Sequence, residues 1–371
     1  MNKMTSTIEV HQTKGGARIY RLPLHLFPDL FGYAHLVLAG EFRILVDVGS
    51  GFGECNQELD QGIKRVRTEF GEDVSWDNLT HVLISHGHID HFGGLGFVRE
   101  QTDALVGVHE LDRRVLTHYE ERRSVVTHAM RQFLIEAGVA EDYRQEVLNV
   151  YLLHKYLFTS VDVDFTFESQ GMKIGPLDLL HVPGHCPGHV TFQIDDYLLA
   201  GDHILERTSP HQAPERLTAH TGLAHYLESL EKVRAHSDSI TCTLGGHEGA
   251  ITDLSSRIDA IEAVHVARLR QILDLLEDPH SVAEISEALF EEVHAYHKIL
   301  ALEEAGAHIE YLVQRGALVV ENLDEMEQDG PTARRYRKVA PLEEVIPPWM
   351  VALPPAETLP VPIRTKNAPA R

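Results

Sequence analysis

The segment His-Gly-His-Ile-Asp-His at positions 86–91 constrains this chain more strongly than any other part of the sequence. It follows an apolar run at 80–85, which predicts a buried β-strand, and it precedes two glycines at 93 and 94. Three imidazoles and one carboxylate are typical ligands of zinc, or of iron or manganese at a mixed nitrogen and oxygen site. Open α/β sheets build their functional sites at the carboxyl ends of strands. The segment therefore predicts an α/β protein with a metal site at a sheet edge.

One turn cannot complete a metal site, and three later segments offer further ligands. His185 lies in a Gly/Pro-rich turn between strands predicted at 177–180 and 190–194. Asp202 ends an apolar strand predicted at 197–201, and His247 ends another at 240–246. Taken alone, each of the three could be an ordinary turn residue, placed where glycine gives the backbone freedom. Their order after the segment at 86–91 favours metal binding.

In this order the motifs resemble those of the metallo-β-lactamase-fold hydrolases. That superfamily includes glyoxalase II, acyl-homoserine lactonases and tRNA-processing endonucleases, and the resemblance covers residues from about 20 to 251. It implies a four-layered αβ/βα sandwich with metals between two sheet edges. It also implies that Asp47, which ends a strand predicted at 42–46, supports the metal-binding loop.

The resemblance further implies a ligand set for two divalent metal ions, zinc or else iron or manganese. Carried over by position, the expected ligands are His86, His88, Asp90, His91, His185, Asp202 and His247. The first two histidines and His185 would hold one ion, and Asp90, His91 and His247 would hold the other. Asp202 would bridge the two ions, and Asp90 would orient the attacking hydroxide.

Two metals at the usual spacing of about 3.5–4 Å lower the pKa of a shared water to about 7. We therefore expect a dinuclear hydrolase that uses a metal-bridging hydroxide to cleave a thioester, ester or lactone of a small metabolite. One alternative is a single-strand endoribonuclease or phosphodiesterase of the same fold. The tRNA-processing branch usually carries an extra histidine-containing motif and a basic arm, and we find neither in the sequence. A second alternative is a mononuclear iron persulfide dioxygenase, which would not need the second ligand set that His247 completes.

Composition suggests a cytoplasmic enzyme with a small-molecule substrate. The sequence has 371 residues, no apolar run of signal-peptide or membrane-spanning length, and only three cysteines. Its formal net charge of −23 disfavours nucleic-acid binding, which depends on phosphate neutralisation by Lys and Arg. We expect neither a nucleic-acid partner nor membrane association.

The expected domain organisation is a catalytic domain at 17–254, a helical and winged-helix-like domain at 255–340, and a proline-rich tail at 341–371. Apolar residues at helical spacing predict a helical insertion in the catalytic domain at about 110–160. The apolar faces of its helices must be buried against another surface. The insertion could be a lid over the substrate pocket, an extra packed layer or the contact of a homodimer.

The winged-helix hypothesis depends on the order of the elements predicted after the catalytic domain. A long helix at 255–276 is followed by a helix with a Ser281/Glu284 capping box, a helix at 301–314 and strands at 317–320 and 334–339. Between 277 and 329 the only cations are Lys298 and Arg315, against fourteen acidic residues. Because these acidic residues would repel phosphates, we do not expect this region to bind duplex DNA. The many prolines of the tail predict no regular secondary structure at 341–371.

Overall fold

A seven-stranded sheet occupies the amino-terminal half of the chain. Its strands, in spatial as well as chain order, are β1 (Glu9–Gln12), β2 (Arg18–Phe27), β3 (Leu30–Ala39), β4 (Phe42–Val46), β5 (His81–Leu83), β6 (Leu105–Val108) and β7 (Phe165–Thr166). The first four strands form an antiparallel meander, while β4 to β7 are parallel to one another. The carboxyl ends of β4, β5 and β6 consequently lie at one edge.

A second, six-stranded sheet follows. Its strands, in chain order, are β8 (Lys173–Ile174), β9 (Leu177–His181), β10 (Val190–Ile194), β11 (Tyr197–Gly201), β12 (Cys242–Gly245) and β13 (Ala250–Ile251). Neighbours pair in the same order, and all pairs are antiparallel except β11 with β12. The carboxyl ends of β11 and β12 therefore also meet at one edge.

This computed structural model describes residues 7–153, 158–290, 293, 296–328 and 332–353. The chain forms two compact units. The core unit consists of Met1–Glu120, Phe158–Glu206 and Glu231–Leu254, and it contains both sheets. The helical unit consists of Glu121–Leu157, Arg207–Leu230 and Ser255–Arg371.

Both faces of the first sheet are buried, which explains its nearly continuous apolar strands. Along β4, Ile44 and Val46 belong to one apolar cluster, and Leu45 belongs to the other, because successive side chains point to opposite faces. One cluster joins the sheet to Leu59 and Ile63 of a helix, and the other joins it to the second sheet. Helix, sheet and sheet thus form successive layers of the core unit.

The helices of the core unit follow the strands of the first sheet. They are α1 (Cys55–Glu69), α2 (Ile89–Phe92), α3 (Leu95–Gln101) and α4 (Glu110–Thr117). Short 3-10 turns lie at Trp76–Asn78, Glu168–Gln170 and Ser237–Ser239. The short α2 and α3 directly continue the chain past β5, so the expected metal-binding loop leads into helix.

The helical unit is built mainly from long helices. They are α5 (Tyr119–Glu136), α6 (Glu141–Leu153), α7 (Leu223–Arg234, which ends in the core unit), α8 (Leu254–Leu275), α9 (Val282–Leu289) and α10 (Tyr296–Gln314). A two-stranded sheet, β14 (Leu318–Val320) with β15 (Tyr336–Lys338), follows, together with α11 (Leu323–Met326), a 3-10 turn at Leu342–Glu344 and α12 (Pro348–Val351).

Most predicted elements are confirmed within a few residues. The helical insertion, the long α8, the capping box at Ser281 and the antiparallel pairing of β14 with β15 are all present. A winged helix remains a prediction for this helix and strand series. The expectation of an irregular tail is wrong at its start, because α12 begins with Pro348 in the first turn, where a missing amide costs little. Residues 354–371 lie outside the described part.

Within the described residues, no helix combines the length and the apolar character that a bilayer crossing requires.

Candidate metal centre

The first sheet supplies four of the expected ligands from one loop. His86 and His88 follow β5, and Asp90 and His91 lie in α2 immediately afterwards. Since β4 is parallel to β5, the carboxyl end of β4 brings Asp47 to the same place. The backbone at Asp47 has a φ of 62°, which turns the chain sharply after the strand.

The second sheet supplies the remaining three ligands. His185 lies in the turn between β9 and β10, Asp202 follows β11, and His247 follows β12. The backbone between these strand ends approaches the ligands closely. A Cβ atom at Gly246 would lie 2.6 Å from His91 Cε1 and 2.9 Å from Asp202 Oδ1. Glycine is therefore required at this position if the ligands are to keep their places.

The seven expected ligands form two groups of mutually close donor atoms. In the first group, the ligand atoms of His86, His88 and His185 lie within 4.8 Å of one another. His86 Nε2 is 3.1 Å from His88 Nδ1. The second group consists of Asp90, His91, Asp202 and His247, and its atoms meet the same 4.8 Å limit. The structure thus divides the histidines between two groups in the way that the resemblance implied.

Asp202 faces both groups with different oxygens. Its Oδ1 lies 3.5 Å from His91 Nε2 and 3.5 Å from His247 Nε2. Its Oδ2 lies 3.9 Å from His185 Nε2 in the first group. On the other side, Asp90 Oδ2 is 3.4 Å from His247 Nε2. One buried carboxylate therefore spans the distance between the two groups.

A layer of outer contacts orients the imidazoles. Asp47 Oδ2 lies 2.8 Å from His91 Nδ1, while Asp47 Oδ1 accepts a hydrogen bond from the Ser85 amide at 2.7 Å. Ser85 Oγ donates to Asp47 Oδ2 and lies 3.0 Å from His86 Nδ1. The carbonyl of Phe31 lies 2.6 Å from His247 Nδ1. Such contacts fix the tautomer and direction of metal-binding histidines.

The pKa values of His86 and His88 in the first group and of His91 in the second group shift in opposite directions. Burial, reinforced by neighbouring imidazoles, lowers the pKa of His86 and of His88 well below the ordinary value, so both are neutral, the form that binds metals. Burial also opposes a charge on His91, but the carboxylates of Asp202 and Asp47 outweigh it and raise the pKa of His91 well above its usual range. A position that attracts a proton so strongly also attracts a metal cation.

Two buried atoms support the presence of a cation in the second group. Within the described part of the chain, neither His91 Nε2 nor Asp202 Oδ1 has a hydrogen-bond partner, although both are buried. Leaving a buried polar atom unsatisfied costs about 1–3 kcal/mol. A divalent cation that coordinates both atoms would remove this cost. The nitrogen and carboxylate donors of both groups also suit zinc, iron or manganese.

Sequence reasoning missed two side chains that contact the ligand-bearing segments. Asp112, on α4, accepts hydrogen bonds from the amides of Gly87 and Gly188. His189 Nε2 accepts one from the amide of Asp202 at 3.1 Å. No spacing rule identifies Asp112, because its partners are 25 and 76 residues away in the sequence. His189 follows His185 in the same turn, and this proximity was the one available signal.

A third group of metal-capable residues, His265, Glu304 and His308, lies in the helical unit. Here the ring nitrogens are already paired. His265 Nδ1 is 3.0 Å from His308 Nε2, His265 Nε2 is 3.1 Å from Ser209 Oγ, and His308 Nδ1 donates to the Glu304 carbonyl at 2.8 Å. Arg268 Nη1 donates to Glu304 Oε1 at 2.6 Å. We interpret this group as a buried hydrogen-bond network that needs no metal.

Comparison with known proteins agrees with this geometry. A family model described as "Metallo-beta-lactamase superfamily" matches residues 27–245. Among solved structures, a metallo-beta-lactamase family protein from Thermus thermophilus has a TM-score of 0.68 at 24% identity, covering 86% of this chain and 98% of that one. A beta-lactamase domain protein from Burkholderia ambifaria has a TM-score of 0.64 at 21% identity, covering 89% and 94%. These likenesses confirm the predicted fold.

Two curated relatives match a smaller share of the chain. The "Lactamase-like protein adaB" of Aspergillus niger is 23% identical over 247 residues, which cover 66% of this chain and 58% of that protein. The "Atrochrysone carboxyl ACP thioesterase" of Emericella nidulans is also 23% identical over 247 residues, covering 66% and 60%. The chain thus spans about three fifths of the length of these two relatives.

Proposed function

Because the chain belongs to the metallo-beta-lactamase superfamily, we propose that it is a dinuclear metal-dependent hydrolase that cleaves a thioester, ester or lactone of a small metabolite. The observation that carries the proposal is the position of Asp202. Its two oxygens lie within 3.5 and 3.9 Å of nitrogens from different ligand groups. A carboxylate in that position supports a pair of ions rather than one.

The proposed metal ligands are the seven residues expected from the sequence. When bound, two divalent ions would supply Lewis acidity and lower the pKa of water to about 7, so that hydroxide is available at neutral pH. Zinc is the first candidate, and iron or manganese would suit the same donors. This donor set requires no serine or cysteine nucleophile.

The chain's own residues orient the attacking water and the ligands. Asp90 Oδ2, directed towards His247 Nε2, can accept a hydrogen bond from the water and fix its direction. Asp202 holds the spacing between the groups. Asp47 and Ser85 restrain His91 and His86, so the imidazoles need no reorganisation during the reaction.

A thioester is the substrate class we favour. A thiolate leaves without first being protonated, so the reaction does not demand a general acid beside the leaving group. A relative named as a thioesterase supports this choice, although the chain spans only 60% of it. A lactone or activated ester presents the same carbonyl carbon to the attacking water.

We also propose a small-molecule substrate in the cytoplasm rather than a nucleic acid. The excess of 56 acidic over 33 basic residues disfavours phosphate binding. None of the three cysteines, which all lie in the described part of the chain, forms a disulfide, in keeping with a reducing compartment.

Metal analysis and a substrate panel test the proposal together. Protein purified without chelators should contain two equivalents of metal per chain. It should hydrolyse a glutathione thioester or an acyl-lactone faster than single-stranded RNA or a chromogenic phosphodiester. One equivalent of iron with persulfide oxidation would replace the proposal by a dioxygenase. Preference for RNA would replace it by a nuclease.

A further inference from the structure

Asp112 joins the two turns that carry the first ligand group. It lies in the first turn of α4 and is fully buried. The amide of Gly87 donates to Asp112 Oδ2 at 2.7 Å, and the amide of Gly188 donates to Asp112 Oδ1 at 2.9 Å. Each carboxylate oxygen thus accepts a hydrogen bond from a different turn.

Both turns carry expected ligands of the same ion. Gly87 separates His86 from His88 in the loop after the first sheet's β5. Gly188 follows His185 by three positions, in the turn between β9 and β10 of the second sheet. The three imidazoles come from different sheets. One backbone hydrogen bond, from the Val190 amide to the Ser85 carbonyl at 2.9 Å, joins the second sheet to the loop beside His86, but it does not reach the two turns themselves. The Asp112 carboxylate contacts both turns directly.

Packing leaves the carboxylate little freedom. A Cβ atom at Gly188 would lie 2.7 Å from Asp112 Cγ, and one at Gly87 would lie 3.2 Å from it. The start of α4 is itself held in place. His109 Nδ1 accepts a hydrogen bond from the amide of Leu111, and His109 Nε2 lies 2.8 Å from a carboxylate oxygen of Glu168. Asp112 is therefore a rigid connection between the turns.

We propose that Asp112 is a positioning residue that sets the distance between the two ligand-bearing turns and thereby the metal affinity of the first ligand group, His86, His88 and His185. This inference rests on the metal centre proposed above. Asp112 itself is not in the expected ligand set, and it acts through the backbone of the turns.

The substitution Asp112→Asn tests this role with minimal change of volume. An asparagine side chain has one oxygen that can accept a hydrogen bond, and its NH2 group would oppose the N–H of the second turn. One turn should lose its restraint. Substitution of groups that orient metal ligands typically weakens metal binding by about 10–100-fold, and we expect a loss of that size for one of the two equivalents.

The matched control is Asp196→Asn in the same unit. Asp196 is also buried and accepts hydrogen bonds from the Lys14 amide and the Thr241 hydroxyl, away from the ligand turns. Zinc dissociation constants are measured for each full-length variant by chelator competition, and thermal unfolding is followed with and without zinc. We expect Asp112→Asn to weaken one zinc equivalent and Asp196→Asn to leave both unchanged.

Other results would overturn the inference, either alone or together with the proposed metal centre. If the unsubstituted protein binds two equivalents and Asp112→Asn binds both as tightly, the inference is overturned and the proposed hydrolase stands. Equal weakening in both variants also overturns it, because general loss of stability would then be the cause. If the unsubstituted protein binds no metal, the proposed centre and this inference fail together.

Amide hydrogen exchange provides a second test if Asp112→Asn does not fold. In the unsubstituted, metal-free protein, the Gly87 and Gly188 amides should exchange more slowly than in an unstructured peptide, because both donate to Asp112. Exchange of both amides at the unstructured rate would overturn the inference.

Discussion

At the scale of single residues, the proposed centre depends most on Asp202. The histidines each contact one group, whereas Asp202 lies within 3.5 Å of two nitrogens in one group and 3.9 Å of a nitrogen in the other. Burial raises the pKa of Asp202, but His247 and His91 outweigh it and hold this pKa well below the ordinary value. The side chain is therefore ionised, as a bridging ligand requires.

We expect Asp202→Ala to reduce metal content below two equivalents and to lower turnover by about two to three orders of magnitude, the loss typical of removing a group that stabilises transition-state charge. Metal analysis and kcat on the preferred substrate are the measurements. Asp178→Ala is the control, since Asp178 lies exposed on β9 and pairs with Lys173. Two tightly held equivalents in Asp202→Ala would contradict the bridging role.

The ligand residues could be proposed from sequence because their motifs are local. Four lie within six positions after a strand, two follow the end of a strand, and His185 lies in a Gly/Pro-rich turn between two strands. Asp112 could not be found in this way. Its function depends on where α4 begins relative to two turns, and only the folded chain brings these together. Arg21 could not be found from the sequence either. Its guanidinium is fully buried and donates to the carbonyls of Gly245 and Glu248, which only the folded chain brings close to it.

At the scale of elements, strands bounded by glycine or aspartate were predicted well. β4 and β10 have the predicted limits because apolar runs stop at Asp47 and Asp195. The start of the tail was predicted wrongly, since one turn of helix needs few residues and tolerates Pro348 at its amino end. Burial of Met350 against the protein supplies stability that composition does not reveal.

His211, in the segment before α7, predicts a pH dependence of stability, because its ring nitrogens lie 3.0 Å from Glu303 Oε2 and 3.3 Å from Glu304 Oε2 of α10. Burial lowers the pKa of His211, but Glu303 and Glu304 outweigh it and raise this pKa to about 9. In the unfolded chain the ordinary value is about 6.5. Between about pH 6.5 and 9, His211 therefore holds a proton in the folded state but not in the unfolded chain. The stabilising contribution of His211 is complete below pH 6.5 and is lost as the pH rises through about 9.

We expect His211→Gln to lower the free energy of unfolding at pH 6 and to have progressively less effect as the pH rises from about 6.5 to 9. Urea unfolding across this range gives the difference between the two proteins. His128→Gln, at an exposed position of α5, is the control. A difference between unsubstituted protein and His211→Gln that does not vary with pH would contradict the assigned ion network.

The acidic charge of the elements after residue 276 also predicts that this region does not bind duplex DNA. Fourteen acidic residues against Lys298 and Arg315 between 277 and 329 would repel a phosphate backbone. We expect no mobility shift of duplex DNA at about 150 mM salt, a concentration at which nonspecific binding needs many cationic contacts. Micromolar binding that weakens steeply with salt would contradict this prediction and support a DNA-binding winged helix.

At the scale of the whole molecule, most of the helical insertion belongs to the helical unit, which takes Glu121–Leu157, whereas α4 at its start belongs to the core unit. Met130, Phe133 and Leu134 of α5 are buried. A Cβ atom on Gly306 of α10 would lie 3.0 Å from Phe133 Cζ, so the two helices are in close contact. This supports the interpretation of an extra packed layer. A lid over the substrate pocket and a homodimer contact both stay predictions.

Phe133→Ala distinguishes packing from substrate selection. Truncation of a buried phenylalanine should cost about 3–5 kcal/mol of folding stability. All seven proposed ligands belong to the core unit, whereas Phe133 belongs to the helical unit. We therefore expect the folded variant to retain two metal equivalents and the same order of preference across the substrate panel. Denaturant unfolding, metal analysis and kcat/KM for each substrate are the measurements.

Val125→Ala is the matched control, because Val125 lies on the same helix with 57% of its surface exposed. It should leave the free energy of unfolding within about 0.5 kcal/mol of the unsubstituted protein, as surface substitutions usually do. If Phe133→Ala or Val125→Ala instead raises KM for the preferred substrate while small generic esters are cleaved as before, the insertion selects the substrate. A higher KM for the preferred substrate alone indicates that the insertion contacts the bound substrate, because loss of packing would not change KM for one substrate only.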